Sequence, residues 1–177
     1  DISAKYNTMF TPSGFTFSIW GIIYLLVLVF VIVFVTAQTG ALPNMSLLGI
    51  LFVVSCVLNI GWLLCWHFDK ILASTLVMIL FLITLLSILE FTSPEGITYI
   101  TFSVYFGWIS VALIANISIL LFKSDISFFM NNQSLWLYII LGISLLIGSY
   151  MVIFEKNYYY GIVFIWAYFG IIMRYVR

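Results

Sequence analysis

Six long apolar runs separated by short polar breaks organise the chain. The first extends from about Phe15 to Thr36 and is broken by Gln38, Gly40 and Pro43. The second covers about Leu47 to Trp66 and stops at the polar group His67-Phe68-Asp69-Lys70. The third covers about Ile71 to Leu89, closed by Glu90, Pro94, Glu95 and Gly96, and the fourth about Ile97 to Phe122. After a polar loop from Lys123 to Gln133 come a fifth run, about Ser134 to Phe154, and a sixth, about Tyr158 to Met173. Glu155, Lys156 and Asn157 make the tight turn between these last two. A helix needs about 20 mostly apolar residues to cross a bilayer. No run shows the period-two alternation of a barrel strand, so each predicts a helix. The expected fold is an all-α membrane protein, a polytopic bundle of six transmembrane helices. The third run carries only Ser74, Thr75, Thr84 and Ser87 as polar residues. Their hydroxyls can bond back to the preceding turn. It is therefore expected to be largely lipid-facing and to contribute least to any pocket.

Composition agrees with the pattern. Of 177 residues, 65% are hydrophobic and 7% charged, whereas a soluble domain carries about 25% charge. The net charge is zero and there is no basic cluster, so nucleic acid is not an expected partner. If the loops alternate across the bilayer, Lys5, Lys70, Lys123, Arg174 and Arg177 fall on one side and Lys156 on the other. The positive-inside rule makes the first side cytoplasmic and places both ends of the chain there. The expected location is a membrane that borders the cytoplasm on that side. Cys56 and Cys65 lie on opposite faces of one helix and read as small buried apolar residues.

The polar groups inside the runs narrow the chemistry. No carboxylate, lysine or arginine sits mid-helix, which argues against a proton relay or voltage sensor. There is no metal-ligand cluster, and His67, at a helix end beside Asp69, reads as an interfacial residue. No nucleophile elbow or phosphate loop is present. What remains is asparagine and aromatic residues at helical spacing. Ser55, Asn59, Trp62 and Trp66 share one face of the second helix, and Tyr105, Trp108, Ala112 and Asn116 one face of the fourth. Trp20 and Tyr24 are one turn apart on the first, behind a turn containing Pro12, Gly14 and Phe15. An amide facing hydrocarbon is costly, so Asn59 and Asn116 face protein or a cavity. Either asparagine alone reads as helix–helix glue. Three aromatic stripes with two amides together suit a pocket for a flat apolar ligand.

These residues carry a resemblance to the TspO/MBR family, the tryptophan-rich sensory and translocator proteins. Trp20-Gly21-Ile22-Ile23-Tyr24 is similar to the family's Trp-Gly-x-x-Tyr element, with Pro12 eight residues before the tryptophan. Leu58-Asn59-Ile60-Gly61-Trp62 matches Leu-Asn-x-x-Trp, and Tyr105, Trp108 and Asn116 fit the spacing of the family's last helix. The matches span about Phe10 to Phe122. The chain departs from the pattern in several ways. Val104 replaces a proline, and the sterol-recognition element after Asn116 is absent, so sterol binding is not carried over. Relative to the family pattern the first helix is missing and two helices are added at the end, so the chain resembles an extended bacterial branch, which implies a bacterial cytoplasmic membrane. The expected organisation is a core over 1–122, a lid loop and four transmembrane helices, with a two-helix extension over 123–177.

The resemblance implies a binding pocket roofed by Phe10 to Phe15, with Pro12, Gly14 and Phe15 as the lid. Trp20, Tyr24, Asn59, Trp62, Tyr105, Trp108 and Asn116 would be its ligand-binding residues. Family members bind porphyrins and related tetrapyrroles, and residues matching Trp20 and Trp108 are associated with porphyrin breakdown in some bacterial members. The leading expectation is a membrane sensor or regulator that binds a tetrapyrrole and requires no cofactor. A porphyrin-degrading enzyme and a small-molecule transporter are the alternatives from the same pocket. A structural membrane subunit is a further one, with a homodimer or another subunit as partner beside the lipid bilayer. Ser144 and Gly148, a small-xxx-small pair on the fifth helix, suit such packing.

Overall fold

The computed structural model describes residues 13–36, 45–125 and 131–176. Pro12 and Phe10 lie outside them. A short 3-10 turn, η1 (Gly14–Ser18), leads into α1 (Ile19–Thr36). The remaining elements are α2 (Met45–His67), α3 (Ile71–Glu90), α4 (Ile97–Lys123), α5 (Gln133–Ile153) and α6 (Tyr158–Tyr175). Among the described residues there is no strand. η1 together with α1, and α2 to α5, are long and apolar enough to span a membrane. α6, with 18 residues, opens on three tyrosines and is inserted against the bundle.

α4 is the central helix, packing against α1, α3 and α6. Its small residues explain why neighbours come close. A Cβ at Gly107 would stand 3.0 Å from Val163 Cβ and 3.3 Å from the Tyr160 carbonyl, so the glycine admits the α6 backbone. α6 runs parallel to α4, starting about two turns in from the α4 N-terminus. There Asn157 caps α6 by accepting from the Tyr160 N–H at 3.0 Å. It also donates to Ser103 Oγ on α4 at 2.9 Å. Asn157 is only 1% exposed, and these two bonds satisfy both ends of its amide.

α1 is antiparallel to α4. Thr101 Oγ1 donates to the Leu26 carbonyl, and Phe30 wedges edge-on between Phe52 of α2 and Phe102 of α4. The side expected to be cytoplasmic is tied by Lys123, at the end of α4. It donates to the Asp69 carboxylate and carbonyl in the α2–α3 turn, at 2.9 and 2.7 Å. The pairing fits the alternating topology, in which these two loops share a face. α5 is peripheral. It rests on α6, and reaches α4 through Trp136 Nε1, 3.4 Å from Ser118 Oγ.

Two expectations need correction. α3 is not mainly a lipid-facing helix: 44% of its spanning window is buried, against 17% in α5, and only its outer face, with Leu72, Leu76, Leu80 and Ile83, is exposed. Thr75, Thr84 and Ser87 do bond back to their own helix, at 2.9 Å each. That leaves them as harmless in a protein interface as in lipid, so back-bonding says nothing about where a helix sits. Met78, Phe81, Leu85 and Ile88 form its inner face, fully enclosed between α2 and α4. Cys56 is also not buried. It is exposed on the outer side of α2, and Cys65 is half-buried.

Candidate functional site

The α1–α4 register decides which aromatic residues meet. With Thr101 opposite Leu26, two turns along α4 bring Tyr105 and Trp108 level with the first turn of α1. Trp20 is the hub. Its ring lies 5.5 Å from Tyr24 and 5.8 Å from Trp62, both stacked. It meets Tyr105 and Trp108 edge-on at 6.0 and 6.4 Å. These distances and angles are the favoured geometries for aromatic pairs. Thus α1, α2 and α4 bring Trp20, Tyr24, Trp62, Tyr105 and Trp108 into one cluster. Trp62, Tyr105 and Trp108 are buried, Trp20 is half-buried and Tyr24 is exposed at the rim. Two residues that spacing did not single out as binding residues join them. Phe17 of η1 packs edge-on to Trp108 at 5.8 Å, and Phe81 of α3 edge-on to Tyr105 at 5.2 Å. α3, expected to contribute least to the pocket, supplies part of its wall through Phe81.

The polar groups of the cluster are unusual. Trp62 Nε1 and Trp108 Nε1 are buried and have no hydrogen-bond partner among the described residues. The same holds for Asn59 Oδ1, one turn from Trp62 on the same face of α2. Leaving such a group unpaired costs about 1–3 kcal/mol, and native structures rarely accept it without a reason. Two donors and one acceptor therefore stand unused around a set of rings that have mutual contacts as their main occupation.

Asn116 does not join them. It lies two turns beyond Trp108, about 12 Å along α4. This carries it past the level of η1 and onto α3. There its Nδ2 donates to Ser74 Oγ at 2.9 Å and contacts Met78 Sδ at 3.2 Å. The residue is 1% exposed, and its carbonyl oxygen has no partner among the described residues. Asn116 is thus part of the α3–α4 interface, a correction to its expected place in the pocket.

The lid residues are also placed differently from expectation. Phe15 turns away from the cluster and packs edge-on against Trp166 and Phe169 of α6, at 5.5 and 5.9 Å. Gly14 is exposed, with open space around it, and bears on neither face. A separate groove of about 380 Å³ runs between α5 and α6, lined by Gly148, Val152, Gly161, Phe164 and the hydrogen-bonded pair Ser144–Tyr168. None of the residues lining it is a tryptophan or belongs to α1, α2 or α4. Among the described residues no group of three or more His, Cys, Asp or Glu side chains could hold a metal.

The rings in the α1–α2–α4 seam stand on the same residues as the sequence motifs. A family model described as TSPO-like protein matches residues 1–176. The chain belongs to the TSPO-like family. The match takes in α3, α5 and α6 as well as the three helices carrying the motifs. No curated protein and no solved structure matches the chain. Membership, with five helices of spanning length, makes the TSPO-like chain an integral membrane protein surrounded by lipid, and the family suggests ligand binding.

Proposed function

We propose that the protein is a membrane sensor or regulator that binds a flat hydrophobic molecule, a porphyrin or related tetrapyrrole, at the aromatic cluster around Trp20. The observation that carries this reading is the set of buried, unpartnered groups in the cluster: the indole N–H of Trp62 and of Trp108, and the carbonyl of Asn59. An apolar packing core has no need of them, and a ligand with acceptor and donor atoms at its edge gives each a partner. The rings fill the seam themselves. Binding therefore involves Trp20 leaving its stack on Trp62, 5.8 Å away, so that the ligand plane takes its place. Trp20 is the half-buried member of that pair and the freer to move.

The site acts by stacking and hydrogen bonding, with no requirement for a cofactor. The membrane is taken to be a bacterial cytoplasmic one with both chain ends on the cytoplasmic side, in line with the lysine and arginine distribution.

The test is a titration of the purified protein with protoporphyrin IX, in the dark and in light, following the porphyrin absorbance and tryptophan fluorescence. A saturable spectral shift with quenching, equal in both conditions, is expected. Absence of saturable binding contradicts the proposal. Bleached porphyrin products formed only in light would favour the porphyrin-degrading alternative.

A further inference from the structure

α6 lies outside the motif-bearing helices, yet it packs tightly against the turn in front of the site. Thr16, at the centre of η1, is fully buried. It is pressed onto Gly170 of α6. A Cβ at position 170 would overlap the Thr16 hydroxyl and stand 2.7 Å from its Cγ2 and 2.9 Å from its Cβ. Only glycine admits this approach. Two hydrogen bonds flank the contact: Trp166 Nε1 donates to the Thr16 carbonyl at 3.0 Å, and the Ser13 N–H donates to the Gly170 carbonyl at 3.1 Å. Phe15 closes the arrangement by packing edge-on against Trp166 and Phe169.

The next residue points to the other side. Phe17 lies edge-on to Trp108, 5.8 Å away, in the aromatic cluster. η1 is therefore a five-residue bridge with α6 at one face and the cluster at the other. A 3-10 turn this short has weak hydrogen bonding of its own, so its position is set by what it packs against.

From this geometry we propose that Trp166 and Gly170 are positioning residues of the binding site: they clamp η1 so that Phe17 covers Trp108, and a ligand exchanges only when the clamp releases. The inference rests on the reading of the cluster as a ligand site. It assigns to α6 a part in the site that the motif-bearing helices do not reveal. Clamp release precedes both entry and exit, so weakening the clamp raises the two rates together and leaves the equilibrium constant nearly unchanged. A residue that merely stabilised the bundle would not give that pattern.

Two variants and two readouts test it. Trp166→Phe keeps most of the ring packing and removes the N–H donor. Gly170→Ala forces η1 off α6, and if it fails to fold, Trp166→Phe carries the test alone. The first readout needs no ligand: amide hydrogen exchange of the 13–18 segment in detergent-solubilised full chain. It is expected to speed up about fivefold in Trp166→Phe, the change that one ordinary hydrogen bond carries, while α3 and α4 keep their protection. Unchanged exchange in 13–18, or equal acceleration everywhere, overturns the clamp. The second is stopped-flow binding of protoporphyrin IX. Association and dissociation rates are both expected to rise about fivefold, with Kd within twofold. A change confined to the dissociation rate overturns the role in access. If the wild-type chain binds no porphyrin, the ligand reading falls while hydrogen exchange still decides the clamp.

Discussion

Two asparagines sit deep in apolar helices of this chain, and their surroundings differ. The amide N–H groups of Asn116 have found partners inside the protein, Ser74 and Met78 on α3, while its carbonyl, like that of Asn59, has none among the described residues. Asn59 offers a buried carbonyl to nothing among the described residues, one turn from two stacked tryptophans. The first region is an interface in which a polar pair fixes the register of α3 on α4. The second is an aromatic seam whose buried indole N–H groups have no partner among the described residues. The same residue type, equally costly in hydrocarbon, is read as glue or as a binding group by one criterion: whether a side chain of another helix takes its amide N–H.

Substitutions can sharpen that contrast. The largest effect on folding is expected from Asn116→Leu, which strands Ser74 in the α3–α4 interface. Stability should fall by about 1 kcal/mol, in the upper part of the range for interhelical hydrogen bonds in membranes. Porphyrin affinity should stay within twofold. Thermal unfolding in detergent, run beside a titration, checks both halves. A smaller effect of the opposite kind is expected from Trp62→Phe or Trp108→Phe. Each removes an indole N–H that has no protein partner, so melting should move little. Affinity for protoporphyrin IX should drop about two- to fivefold, the loss of roughly one neutral hydrogen bond. Equal melting losses in these variants and in Asn116→Leu would erase the distinction between the two regions. The smallest effect belongs to Ser74→Ala. It removes the hydroxyl but leaves Met78 Sδ beside the Asn116 amide, so a loss of about 0.5 kcal/mol with unchanged porphyrin binding is expected from unfolding measurements.

The contrast also marks what the sequence could convey. Helix positions were legible because the length of an apolar run is itself the constraint imposed by a bilayer. The expected ends of α3 and α4 agree with the observed ones to within a residue. The meeting of Trp20, Tyr24, Trp62, Tyr105 and Trp108 was legible too, since helical spacing puts each set on one face. The environment of α3 was not. In a membrane the lipid is as apolar as leucine, so a helix rich in Leu and Ile carries no sign of whether it faces protein or lipid. For the same reason Asn116 could be placed on a face of α4 but not assigned to α3 or to the seam. The link from Thr16 to Gly170 joins positions 154 residues apart. Its one local trace is the Trp166-x-x-x-Gly170 spacing, which sets a donor one turn below a gap.

The most direct test of the aromatic seam as a binding site is Asn59→Leu, measured for protoporphyrin affinity and for melting in the same preparation. A leucine of similar size removes a buried carbonyl that lacks a partner, so the melting temperature should hold or rise. Affinity should fall about tenfold, near 1.4 kcal/mol. A variant that melts earlier while binding porphyrin as tightly as the wild type would make Asn59 a packing residue and contradict the account.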